Sequence, residues 1–133
     1  MAKRAKALGM KVLVDFHYSD FWVDPGQQKK PDAWKNDSGD KLVDDVYAYT
    51  AKVMQNFNAQ GVTPDMVQVG NELNNGMLWP EAQLTEDNPN GYKFLAKLLN
   101  AGLQAVHDND KDNKVKTMIH LAGVDVNLYH TFF

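Results

Sequence analysis

The chain has 133 residues, 44% hydrophobic and 11% aromatic, enough for one ordinary globular core and too few for two. Its 17 acidic against 14 basic residues leave a net charge of −3, and apart from doublets such as Lys29-Lys30 the basic residues are scattered, so no nucleic-acid or anionic-membrane surface is advertised. There is no cysteine, which excludes disulfides, thiolate metal sites and cysteine nucleophiles, and no apolar run approaches the roughly 20 residues that span a bilayer.

The opening Ala2 to Leu8 is rich in helix formers and stops at Gly9, a residue suited to the left-handed position after a helix. It lacks the apolar stretch of a signal peptide. Lys11 to His17 is an apolar run of strand length, expected to be a buried parallel strand, and it runs out among Tyr18, Ser19, Asp20, Phe21 and Trp22. The stretch from Asp24 to Ser38, with Pro31 and Trp34 inside it, is longer than the usual connection of about 4 to 6 residues, and loops of that size tend to be functional. From Gly39 to Phe57 apolar residues recur at Leu42, Val46, Tyr49, Val53 and Phe57, the stripe of a helix packed on a sheet.

Met66 to Gly70 reads as a second strand that breaks on a glycine and delivers Asn71-Glu72 into an aromatic loop ending at Trp79-Pro80. A second long helix runs from Gly91 to His107 with the face Phe94, Leu95, Leu98, Leu99, Gly102, Leu103 and Val106. A third strand is expected over Val115 to Leu121, and Asn127 to Phe133 starts a further helix or a loop.

Strands separated by single helices imply parallel pairing with right-handed crossovers, hence an α/β architecture. A doubly wound sheet and a β/α barrel compete. No glycine-rich phosphate fingerprint follows any strand, which weakens the nucleotide-binding form of the first. All three strands instead end in polar and aromatic residues, at His17 to Asp20, at Asn71-Glu72 and at His120, as barrels arrange their active sites. Glu72 has three readings: a carboxylate hydrogen-bonded locally, a solvated loop carboxylate, or a partly buried carboxyl with the raised pKa a general acid needs.

Three blocks, Asp15 to Pro25, Val69 to Pro80 and His120 to Gly123, closely resemble family 53 of the glycoside hydrolases, the endo-β-1,4-galactanases of type I arabinogalactan. The blocks span nearly the whole chain in the family's order. The resemblance implies a retaining hydrolase and a partial (β/α)8 TIM barrel, approximately strands three to five with their helices, residues 1–133 being a fragment of one catalytic domain. Glu72 would be the acid/base and Asn71 would bind the sugar 2-hydroxyl, a contact that strengthens in the transition state. His17 and His120 would line the mouth, and Trp22 and Trp79 would offer flat faces to the sugar. Asp20 and Asp15 divide evenly between structural and substrate-binding roles.

A complete barrel needs about 250 residues. A retaining enzyme also needs a second carboxylate about 5 to 5.5 Å from the first, which in this family follows the seventh strand. No Asp or Glu here matches it, so the nucleophile is expected outside this chain and the chain alone is expected to be inactive. The resemblance calls for no cofactor, although some members bind calcium in a loop outside this region. The expected partner is a galactan or arabinogalactan oligosaccharide in an extracellular setting, with no nucleic acid and no membrane. Exposed barrel edges would allow self-association. Two rival readings are a metal-dependent barrel hydrolase using Asp15, His17, Asp20 and His120 as ligands, and a non-catalytic galactan-binding remnant.

Overall fold

The computed structural model describes residues 1–133. After a short helix α1 (Ala2–Ala7), β1 (Leu13–Phe16) leads through the long loop to α2 (Gly39–Ala59). Next come β2 (Met66–Val69), a small hairpin of β3 (Gly76–Met77) and β4 (Ala82–Gln83), α3 (Gly91–Asn109), β5 (Lys116–Met118) and α4 (Val126–Phe132). The three longer strands form one parallel sheet in the order β1-β2-β5, with Leu13 opposite Met66 and Met66 opposite Lys116. No helix is long and apolar enough to cross a membrane.

Position in the sheet decides burial. β2 has a neighbour on each side and buries Val67, Gln68 and Val69. β1 has one neighbour, and the expectation of a buried strand is corrected: Leu13 is 52% exposed and Phe16 alone in the strand is buried. β5 is shorter than the sequence suggests because the backbone beyond it leaves the ladder, the His120 carbonyl accepting the Leu73 N–H at 2.9 Å. The tail is a helix, capped at Asp125, whose Oδ1 accepts the Asn127 N–H at 2.9 Å.

The core lies between the sheet and the two long helices, with Leu42, Val46 and Met54 of α2 meeting Val67, Val69, Leu95, Leu98 and Val106. Gly102 lets α3 approach β2 closely, since a Cβ there would stand 2.6 Å from a Val69 methyl. No pattern in the sequence announces the hairpin of β3 and β4. Two-residue strands carry no periodicity, but Gly76 is its requirement: φ is +86°, and a Cβ would fall 1.8 Å from the Ala82 carbonyl oxygen.

The base of the sheet is fastened by Asp65. Its carboxylate accepts from Lys6 Nζ at 2.8 Å, from the Val12 N–H at 2.9 Å and from Lys11 Nζ at 3.1 Å. The Lys6 ammonium first, then the Val12 amide and Lys11, hold this carboxyl well below the usual range. A depressed folded-state pKa contributes stability that is present above the unfolded value of about 3.9 and lost as pH falls through the folded one. Asp65→Asn therefore lowers Tm at neutral pH, and its deficit against the parent shrinks as pH is taken below about 4. Thermal melts from pH 7 to pH 2 check this; a constant deficit would refute it.

Candidate active site

The sheet presents one polar end, where β1, β2 and β5 finish within reach of one another. Beyond β2, Gly70 (φ +82°) turns the chain, and a Cβ there would lie 2.7 Å from the Leu73 side chain. Glu72 follows in the left-handed region, at φ 50° and ψ 56°. A non-glycine residue in that conformation is strained, and such strain persists where surrounding contacts over-determine it.

The Asn71 carboxamide is the centre of the arrangement. Its Nδ2 donates to the Val23 carbonyl at 2.9 Å, an oxygen that can only accept, so the orientation of the amide is fixed. Oδ1 therefore faces Gln68 Nε2 at 3.1 Å and His120 Nδ1 at 2.8 Å. Since Oδ1 only accepts, His120 carries its proton on Nδ1 and leaves Nε2 free. The Glu72 N–H faces the same Nδ1 at 3.4 Å, but a nitrogen that carries its proton toward Asn71 has no lone pair to offer it.

On the other flank, the Val23 N–H donates to His17 Nδ1 at 3.1 Å, so the ring's Nε2–H donates to Asp15 Oδ2 at 3.1 Å. Asp15 Oδ1 in turn accepts from Gln68 Nε2 at 2.6 Å. A closed ring of hydrogen bonds thus runs His17, Asp15, Gln68, Asn71, Val23 and back to His17, with His120 attached at Asn71. It joins the ends of all three strands.

Several residues stand elsewhere than at this ring. Asp20 Oδ2 accepts the Asp32 N–H at 2.7 Å and so caps the short turn Asp32–Trp34; the residue also lines a cleft of about 420 Å³ shared with Asp15, His17, Trp34 and Tyr49. Trp34 packs beneath its own loop against Tyr18 and Tyr49. Tyr18 is buried, its hydroxyl 2.7 Å from Thr50 Oγ1, and burial pushes its phenol well above the usual range. Trp22 is 66% exposed, beside the exposed Phe21. Trp79 is half-buried, with Nε1 donating to the Asn75 carbonyl at 2.9 Å. Glu72, half-buried, lines none of the five main clefts, and its carboxylate has no hydrogen-bond partner. It sits on the open end of the sheet.

The four ligands of the metal reading do not converge. His17 is engaged with Asp15 and Val23, Asp20 with a backbone amide and His120 with Asn71, and no three His, Asp or Glu side chains are gathered as a cation would require. Two residues that carry the site escape a reading of the sequence, Gln68 and Gln28, both buried. Gln68 left a signal, a polar residue inside an apolar strand run; Gln28, in a polar loop, left none.

The family model described as Glycosyl hydrolase family 53 matches residues 1–133. A probable arabinogalactan endo-beta-1,4-galactanase A of Aspergillus flavus is 39% identical over 121 residues, 91% of this chain and 33% of the relative. Its counterpart from Aspergillus terreus is 41% identical over 121 residues with the same coverage. The chain spans about a third of the length of the curated relatives it matches. Among solved structures, an Ignisphaera aggregans GH53 catalytic domain superposes with a TM-score of 0.87 at 44% identity, over 98% of this chain and 34% of that one. A structure of two fungal beta-1,4-galactanases gives a TM-score of 0.87 at 34% identity, over 98% and 38%. The three parallel strands and their helices are a sector of a TIM barrel, and the ring of hydrogen bonds stands at the strands' C-terminal ends, where barrels carry their active sites.

Proposed function

This chain belongs to glycosyl hydrolase family 53, and we propose that residues 1–133 are a fragment of the single catalytic domain of a retaining endo-β-1,4-galactanase with Glu72 as its acid/base. The observation that carries the reading is the Asn71-Glu72 pair at the end of the central strand. There the Asn71 amide is fixed by Val23 and Gln68 and bonded to His120, while Glu72 projects an unpaired carboxyl from a strained bend.

In the first half-reaction Glu72 gives its proton to the glycosidic oxygen as the bond to the leaving sugar breaks. In the second it takes a proton from the water that releases the glycosyl group from the enzyme. The nucleophile is a carboxylate about 5 to 5.5 Å away, supplied by polypeptide outside residues 1–133. Asn71 donates to the 2-hydroxyl of the sugar at the cleavage point, and Trp22 and Trp79 offer aromatic faces to the chain on either side. Neither proton transfer calls for a cofactor. A polymeric glycan as substrate favours an extracellular setting.

The test sets residues 1–133 alone beside the active enzyme that carries them, both given β-1,4-galactan. The active enzyme releases oligosaccharides whose new reducing ends are first β by NMR, and residues 1–133 alone give no measurable turnover. Initial α-anomers would refute retention. Turnover by residues 1–133 near that of the longer enzyme would refute an external nucleophile.

A further inference from the structure

We propose that Gln28 is a positioning residue for the proton donor, its carboxamide clamping the peptide backbone that carries Glu72; the proposal rests on the acid/base reading of Glu72. Gln28 lies in the long loop after β1, 44 residues from Glu72 in sequence, yet its side chain is only 1% exposed. The two N–H groups of Nε2 are shared among three carbonyls, of Asn71 at 2.8 Å and of Glu72 and Asp24 at 3.2 Å each. All three partners are acceptors only, so the amino end of the carboxamide must face them.

The clamp acts where the backbone has least support of its own. Glu72 holds a left-handed conformation that a residue with a Cβ disfavours, and its own N–H faces only the protonated Nδ1 of His120, at 3.4 Å. Gln28 binds the carbonyls on both sides of the Glu72 Cα. Without it the peptide is free to relax out of the bend, swinging the carboxyl away from the position the glycosidic oxygen takes.

Gln28 also ties this bend to the aromatic loop. Its own carbonyl accepts the Trp79 N–H at 2.8 Å, while Asn75 Nδ2 reaches the Pro25 carbonyl at 2.8 Å and Lys30 reaches Glu81 at 2.7 Å. Those flanking links hold the two loops together without touching the Glu72 peptide. Only Gln28 connects the loop after β1 to the backbone of the acid itself.

The experiment compares Gln28→Met, which keeps the length and packing but has no donor, with the parent and with Glu72→Gln, all in the active enzyme carrying residues 1–133. Each is assayed on β-1,4-galactan and on an aryl β-galactobioside with 2,4-dinitrophenolate as leaving group, which departs without a proton. A displaced acid lowers kcat on galactan by about 10- to 100-fold, with KM within about threefold and a much smaller loss on the activated glycoside. The ratio of the two losses does not depend on the fraction of enzyme folded. Equal losses on the two substrates, or none, would overturn the proposal. If Glu72→Gln itself shows no difference between the substrates, the acid/base reading fails instead. As a measurement independent of any variant, the Gln28 carboxamide protons in the parent chain exchange at least about tenfold more slowly than those of the exposed Gln60. Equal exchange would also overturn the clamp.

Discussion

Glu72→Gln lowers kcat on β-1,4-galactan by about 10²- to 10⁴-fold, the range that loss of a general acid/base costs. The substitution keeps the shape of the side chain and removes only its titratable oxygen. Because the Glu72 carboxyl has no hydrogen-bonded partner within the chain and is only half-buried, Tm should change little, which separates a chemical defect from an unfolded one. The loss is concentrated in cleavage of poor leaving groups. Sodium azide restores turnover on an activated aryl glycoside, because a small anion needs no base to attack the glycosyl intermediate, and the product is the β-glycosyl azide. A loss of less than about tenfold on galactan falls outside what acid/base catalysis provides and would assign the proton transfer to another group.

The long helices and the central strand were legible because periodicity reports burial of a whole face. Leu42, Val46 and Met54 repeat as α2 requires, and Val67 to Val69 form an apolar run as a strand flanked on both sides requires. The same rule misled at β1. Its composition is that of a buried strand, and Leu13 is exposed because β1 has a single sheet neighbour within residues 1–133, whereas each strand of a closed barrel has two. The hairpin at Gly76 was hidden for the opposite reason, its strands being too short for any period.

The candidate site was legible in its chemistry-bearing residues and illegible in what binds them together. His17, Asn71 and His120 stand out because polar side chains follow apolar strands, and the structure joins them through Asn71 and the Val23 backbone. That junction depends on a main-chain amide and carbonyl of a valine, and no side-chain pattern announces a backbone bond. Gln28 shows the same limit at longer range. A glutamine in a polar loop looks solvated until the second loop folds over it and supplies three carbonyls.

Asn71→Ala should cost nearly as much as loss of the acid, and by two separable routes. Three of the four hydrogen-bonding positions on this carboxamide are committed to the protein: one N–H to Val23, and Oδ1 shared by His120 and Gln68. The remaining N–H is the one available to the sugar 2-hydroxyl. Alanine leaves the buried Val23 carbonyl and the Nδ1 proton of His120 without their partners, at about 1 to 3 kcal/mol for each group that water cannot reach, and it deletes the transition-state contact as well. Together these lower kcat/KM by about 10²- to 10³-fold, or roughly 3 to 4 kcal/mol, with a lower Tm from the broken ring. A substrate lacking the 2-hydroxyl separates the routes. It cannot make the sugar contact with either enzyme, so the loss it suffers on going to Asn71→Ala reports the bracing of His120 and Glu72 alone, and the excess loss on the natural sugar reports the contact. If the two substrates lose the same factor, Asn71 serves only to brace the site, and the donor to the 2-hydroxyl must be sought at another strand end.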